Sequence, residues 1–255
     1  MKAYITGSNG FIGTHLKKRL DNFVAIPHKE IRSIKLEPYD NFYFLSAYGN
    51  MAFHDEDEKI LQANILDLIS ILKQHKKFKS FVYVSTSSVR LPRQTMYSRT
   101  KKAAEEILLS FMEKYDVPIC IVRPFSVTGV GEQKEHLIPS LIRSCIDGDQ
   151  MNFVPGPVHD FIDVEDVVDG IVNLSSHSAR GIYDLGTGKQ VSNQTILEIV
   201  QEVTGKTANI NVIKKMRDYD TNEWVSLNYK ARGYGWLPKK GLQQSIEEMV
   251  KEYKK

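Results

Sequence analysis

Short runs of apolar residues alternate along this chain with stretches of helical periodicity. Residues 2–6, 23–26, 42–47, 81–84 and 118–122 read as strands. Between them, residues 11–20 predict a helix. In 56–74, Ile60, Leu61, Ile65, Leu68, Ile69 and Leu72 recur at helical spacing, and 97–115 predicts a further helix. The strands are apolar without polar alternation, so both of their faces are covered. That pattern predicts an α/β fold with a parallel sheet wound on both sides. The interval 29–41 is too short for a full crossover helix, because a parallel connection takes about a dozen residues. One element of the regular alternation is therefore trimmed.

Beyond Arg123 the regularity weakens. Pro124, Pro139, Pro155 and Pro157, with Gly129, Gly131 and Gly156, break the chain into shorter pieces. Helices are expected over 136–145, 163–174 and 193–204. This part reads as a cap over the C-terminal edge of the sheet, where open α/β sheets bind ligands. The expected division is a nucleotide-binding domain of 1–125 and 158–190, with a small C-terminal substrate-binding lobe of 126–157 and 191–255.

Composition narrows the function. The 255 residues are 42% hydrophobic and 25% charged, enough for a sizeable core. The 34 basic and 31 acidic residues leave a net charge of only +3. That balance argues against a nucleic-acid partner, which needs a concentrated basic face. Lysines at 73–79 and at the C-terminus read as solvated surface. Cys120 and Cys145 form no disulfide framework and no metal spacing. No apolar run is long enough to span a membrane, and the N-terminus does not read as a signal peptide. The expectation is a reduced, cytoplasmic, soluble protein with no membrane partner and no metal.

Candidate chemistry appears at three places. Gly7, Ser8, Asn9, Gly10, Phe11, Ile12 and Gly13 follow the first strand and open a helix. Glycines there allow a tight turn and close approach of backbone N–H groups to a pyrophosphate, helped by the positive end of the helix dipole. The acid that usually grips a ribose 2′-OH at the end of the second strand is missing; the chain reads Ile26-Pro27-His28-Lys29. The basic pair His28 and Lys29 would attract a 2′-phosphate, which favours NADP over NAD as cofactor. Finally, Tyr97 and Lys101 stand four apart and share one helical face. A free tyrosine has a pKa near 10, and a nearby ammonium lowers it toward neutrality, making a general acid/base. Thr86, in the run Ser85-Thr86-Ser87-Ser88, supplies a hydroxyl just ahead of them.

Together these residues resemble the extended short-chain dehydrogenase/reductase family of nucleotide-sugar epimerases, dehydratases and reductases, which has a Rossmann-type fold. The family's GxxGxxG matches Gly7, Gly10 and Gly13, and its YxxxK matches Tyr97 and Lys101. Ser46, Ala47 and Tyr48 match the strand end that lines the cofactor, and Asn64 the asparagine of the next helix. Arg123-Pro124-Phe125-Ser126 resembles the segment near nicotinamide and substrate. His159 to Asp166 resembles RDFIHVDD, and Tyr183 to Gly188 resembles YNIGTG. The resemblance implies that Thr86, Tyr97 and Lys101 are catalytic, that Tyr97 and Lys101 also bind the cofactor, Lys101 by holding the nicotinamide ribose, and that Pro124 lines the cofactor site.

Departures from the family pattern narrow the reaction. Family dehydratases carry Asp-Glu directly after the catalytic threonine; here Ser87 and Ser88 stand there, and hydroxyls cannot replace that carboxyl pair. The family's arginine before Asp-Phe is His159 and its substrate asparagine is Ser126. With Ser87 these are the candidate substrate contacts, and Arg217 is the candidate for the sugar nucleotide's diphosphate. The stretch between Ser88 and Tyr97 is shortened. The reading is an NADPH-dependent reductase of a nucleotide-linked 4-keto-6-deoxysugar. An NAD-dependent nucleotide-sugar 4-epimerase uses the same groups and stays open. A non-catalytic NADP-sensing protein is a third reading, but such a protein has no need of Tyr97, Lys101 and Thr86. A homodimer would pair through helices 56–74 and 97–115.

Overall fold

The computed structural model describes residues 2–37, 40–51, 54, 56–74, 76–214 and 221–255. Its centre is a parallel sheet of six strands, β1 (Ala3–Thr6), β2 (Phe23–Ile26), β3 (Asn41–Phe44), β4 (Ser80–Val84), β5 (Ile119–Pro124) and, after the shorter strands below, β10 (Gly181–Leu185). The order across the sheet is β10-β5-β4-β3-β1-β2. The chain winds outward in both directions from β1, which pairs with β2 on one side and β3 on the other. This is the Rossmann-type, doubly wound arrangement expected from the apolar pattern. The expected trimming is also present: among the described residues between β2 and β3 there is one 3-10 turn, His28–Glu30, and no full crossover helix. β2 is consequently an edge strand.

The continuous apolar strands have the predicted cause. Successive residues point to opposite faces, and both faces are buried. Ile5, Tyr43, Val82, Val84, Cys120 and Val122 form one core, against helix α1 (Phe11–Lys17) and, further along, α6 (Val164–Ser176). Tyr4, Phe42, Phe44, Phe81, Tyr83, Ile119 and Ile121 form the other. Over this second face lie α2 (Asp57–Leu61), a π turn (Gln62–Leu66), α3 (Asp67–Gln74) and α4 (Met96–Tyr115). The helix expected over 56–74 is thus one helical run with a widened turn in its middle. Leu61 and Leu66 on this run remain 41% and 49% exposed.

The rest of the chain forms β6 (Ser126–Thr128), α5 (Leu137–Ile146), β7 (Met151–Phe153), β8 (Val158–His159), β9 (Phe161–Asp163), β11 (Val191–Ser192), α7 (Asn193–Thr204), β12 (Ile210–Val212), α8 (Tyr229–Arg232) and α9 (Leu242–Tyr253). Here α5, α7 and α9 bury Ile138, Leu141, Ile142, Ile196, Val200, Ile246 and Val250 in a third core, separate from those of the sheet. Three two-stranded ladders, β6 with β9, β7 with β12 and β8 with β11, tie this part together. Among the described residues no helix is long and apolar enough to cross a membrane.

Candidate active site

At the C-terminal end of β1 the chain turns through Gly7 with φ +66° and enters α1. A Cβ on Gly7 would lie 2.8 Å from the backbone of Leu45 and Ser46, and one on Gly13 would lie 2.2 Å from the Gly7 carbonyl oxygen. Glycine at these two positions lets the ends of β1 and β3 and the start of α1 close on one another. Thr6 completes the junction, its Oγ1 accepting from the N–H groups of Leu45 and Ser46, each at 3.2 Å. Gly10 caps α1 with backbone alone and offers its first turn no side-chain hydrogen bond. Asn9 is exposed there and accepts a hydrogen bond from Lys17 at 3.1 Å.

Two sheet positions away, β4 ends at Val84 and delivers Ser85 and Thr86. Thr86 caps the 3-10 turn Ser87–Arg90: its Oγ1 accepts from the Ser88 N–H at 3.2 Å and contacts the Ser88 hydroxyl at 3.0 Å. Helix α4 begins only at Met96, capped by the Thr95 side chain on the Ser98 N–H. The short connection brings Tyr97, in the first turn of α4, against Thr86, and a side-chain hydrogen bond joins the two. Lys101, one turn further on, is fully buried. Its Nζ donates to the Val84 carbonyl at 2.6 Å and lies 4.0 Å above the Tyr83 ring.

This geometry corrects one electrostatic expectation. The Lys101 ammonium is directed at a backbone carbonyl and a ring face, and it does not pull the tyrosine pKa down. Burial raises the Tyr97 hydroxyl to about 12, with only the Thr86 hydrogen bond working the other way. Burial likewise depresses Lys101 to about 7, opposed by the charge of Glu105. In this arrangement Tyr97 is held in its protonated form, and Lys101 titrates near neutrality.

Behind these groups stand residues that fix the elements. Asn64, fully buried in the π turn, accepts from the Tyr48 N–H and donates to the Tyr48 carbonyl and to Thr100 Oγ1, at 3.0, 3.0 and 2.9 Å. It binds the loop after β3 to α4, a role suited to a π turn, which displaces one residue from the regular ladder. Asp160, also fully buried, accepts from the Thr187 N–H and hydroxyl and from the N–H groups of Gly188 and Ser226, at 2.8, 2.6, 3.0 and 3.0 Å. It joins β9, the loop after β10 and the C-terminal segment. Asp160→Ala leaves these donors buried without a partner. A loss of roughly 3–5 kcal/mol is expected, read as a Tm lowered by ~10 °C in thermal unfolding followed by circular dichroism.

A family model described as "NAD dependent epimerase/dehydratase family" matches residues 32–186, which contain Thr86, Tyr97 and Lys101. The chain belongs to this family. It is 25% identical over 205 residues to human dTDP-D-glucose 4,6-dehydratase, an alignment covering 70% of this chain but only 57% of that protein. It is 23% identical to the GDP-6-deoxy-D-mannose reductase of Pseudomonas aeruginosa, covering 99% of this chain and 97% of that one. Among solved structures, the UDP-glucose 4-epimerase of Thermus thermophilus in complex with NAD superposes with a TM-score of 0.88 at 20% identity, covering 100% of this chain and 99% of that one.

The family's remaining signature positions fall unevenly. Ser46, Ala47 and Tyr48 follow β3 at the same sheet edge as the glycine turn, and Pro124 ends β5, two strands further across the sheet. Ser126 and His159 are brought together, hydroxyl to Nδ1 at 3.2 Å. Ser87 is buried and faces inward from its turn. Lys29 is exposed. His28 does not stand alone: its Nδ1 lies 2.9 Å from the buried carboxylate of Asp67, which also has Arg32 Nε at 3.9 Å. Arg217 lies outside the described residues. Three groups escaped the sequence reading. Trp224 packs its ring 5.0 Å from His159. Arg90 pairs with Asp184 at 2.5 Å and holds the Thr86 turn to β10. Glu105 sits under Lys101; its position four residues after the lysine on one helix was the signal available for it.

Proposed function

We propose that the chain is a reductase of a nucleotide-linked 4-keto-6-deoxysugar that draws its reducing equivalent from NADPH. The observation that carries the reading is the hydrogen-bonded pair Thr86 and Tyr97, whose neighbours in the following turn, Ser87 and Ser88, are hydroxyls. Elimination of water needs a carboxyl acid and base at those two positions. Carbonyl reduction needs one proton donor and one hydroxyl to hold the oxygen.

The glycine turn fits a dinucleotide. With no side-chain cap at Gly10 and with Asn9 exposed, the N–H groups of the first turn of α1 would meet a pyrophosphate, with Lys17 beside them. Ser46, Ala47, Tyr48 and Pro124 would line the cofactor, with His28 and Lys29 toward the adenosine end. When bound, the nicotinamide supplies the hydride. Thr86, with Ser87, holds the substrate carbonyl. Tyr97 keeps its proton at neutral pH and donates it to the oxygen. Lys101 then relays a proton to the phenolate, a task for which its depressed pKa is matched. Residues 126–157 and 191–255 form the substrate lobe, where Ser126 and Trp224, with His159 reaching them from β8 of the nucleotide-binding domain, offer a polar and aromatic wall. Two copies would pair through the exposed leucines of the 57–74 run and the outer face of α4.

One observation favours a second reading. The Asp67 carboxylate stands 2.9 Å from His28 Nδ1, at the place where a 2′-phosphate would be held, and an anion there is repelled by it. An NAD-dependent nucleotide-sugar 4-epimerase, which retains its cofactor, is the alternative. The deciding measurement follows absorbance with the purified chain and a set of nucleotide-linked keto sugars. NADPH is oxidised with at least one of them if the reductase reading holds. If none consumes NADPH and the protein instead purifies with NAD bound, the epimerase replaces it.

A further inference from the structure

Lys101 is a fully buried ammonium-bearing side chain, yet its direct contacts are a carbonyl and a ring. Neither neutralises a charge. The nearest anion on its face of α4 is Glu105, one turn on and itself 1% exposed. Glu105 is held on both oxygens. Ser85 donates to Oε1 at 2.5 Å, and Arg123 donates Nε to Oε1 at 3.0 Å and Nη2 to Oε2 at 2.5 Å. Ser85 is the residue that β4 delivers just before Thr86, and Arg123 is the residue that β5 delivers just before Pro124. The clamp is therefore built from the two strands that border the site. Beyond Arg123, the charge of Asp184 acts from β10 and that of Glu106 from α4, and Asp184 also accepts from Arg90. A row of alternating charges, Lys101, Glu105, Arg123, Asp184 and Arg90, runs under the site from the lysine to the turn that carries Thr86.

We propose that Glu105, clamped by Arg123 and Ser85, is the buried counter-ion of Lys101 and a positioning residue for the relay assigned to that lysine. The proposal takes the role of Lys101 from the reading above; the coupling of the two charges belongs to the chain alone. A carboxylate fixed by two donors cannot swing toward the lysine, so it acts through its field and leaves the ammonium directed along the Val84 carbonyl. The groups that face the pair are Tyr83 from β4, Tyr97 from α4 and Arg123 from β5. Both tyrosines are held protonated by burial and carry no competing charge at neutral pH. The Glu105 charge raises the lysine against its burial.

The test needs neither cofactor nor substrate. Lysine Nζ groups of the intact chain are titrated by heteronuclear NMR, and Lys101 is assigned from the signal lost in Lys101→Met. The wild-type midpoint is expected near about 7. Glu105→Gln lowers it by roughly 1–3 units, the effect of deleting an opposite charge nearby. General loosening would admit water and move the midpoint the other way, toward the free-lysine value. A midpoint that stays or rises therefore overturns the proposal. Should Glu105→Gln fail to fold, the double variant Glu105→Gln, Arg123→Met removes the buried ion pair without leaving Arg123 unpaired. It must titrate below Arg123→Met alone, because removing the Arg123 charge by itself raises the lysine, and an equal or higher midpoint sinks the idea. Because no turnover is measured, failure of the NADPH assay leaves this result standing, and the converse holds as well.

Discussion

Tyr97→Phe is expected to lower kcat/KM for the keto sugar by a factor of roughly 10²–10⁴, the usual worth of a positioned proton donor. The ring is part-buried in the first turn of α4, so phenylalanine keeps its packing. Only the hydroxyl and its hydrogen bond with Thr86 are lost. NADPH affinity and Tm should therefore stay close to wild type, and the loss should appear in kcat. The high pKa of Tyr97, about 12, gives the pH dependence a sign. The donor remains protonated throughout the neutral range, so any fall of the rate between pH 6 and 8 comes from another group. Lys101, at about 7, is the candidate, and the rate should fall as pH rises through its titration. A Tyr97→Phe protein with undiminished turnover would remove the tyrosine from the mechanism. If its cellular function also persisted, an NADP-sensing role without catalysis would replace the enzyme.

Gly13→Ala is the second large effect. The added methyl would stand 2.2 Å from the Gly7 carbonyl oxygen and 2.8 Å from the Ser8 Cα, both backbone atoms with no rotamer through which to yield. Helix α1 must back away from the turn. The expected cost is about 3 kcal/mol, with loss of NADPH binding because the turn no longer presents its N–H groups together. Gly10→Ala is the control. There the nearest atom is the Gly7 oxygen at 3.3 Å and φ is −73°, which any residue adopts. Stability should hardly change, while nucleotide affinity falls if a ligand approaches that exposed face. Thermal unfolding and fluorescence titration with NADPH separate the two variants; equal Tm values would show that α1 does not need the close approach at position 13.

Much of the fold was legible because burial on both sheet faces leaves a simple trace. Val82, Val84, Cys120 and Val122 belong to one core and Phe81, Tyr83, Ile119 and Ile121 to the other, so β4 and β5 read as unbroken apolar runs. The gap before β3 announced a trimmed crossover by its length alone. Other elements were missed for identifiable reasons. β10 was read only as a motif, since Asp184 interrupts its apolar run and is explained by a partner, Arg90, far away in sequence. α9 was taken for a charged tail, although Leu242, Ile246, Met249 and Val250 carry helical spacing; it finds its core only against α5 and α7.

For the site, the sequence by itself determined which chemical groups are present. Thr86, Tyr97, Lys101 and the glycine turn follow from strand ends, helix spacing and turn chemistry, all of which are local. What only the tertiary structure decided is their electrostatic state. The charge on Lys101 depends on a carbonyl from β4 and on a carboxylate fixed from β4 and β5, and His28 meets the Asp67 carboxylate of another helix. Burial raises Tyr97 where the spacing with Lys101 alone implied the opposite. Local sequence sets which groups a helix or strand end can present, but a pKa is set by the distances and solvent access that packing of distant segments creates.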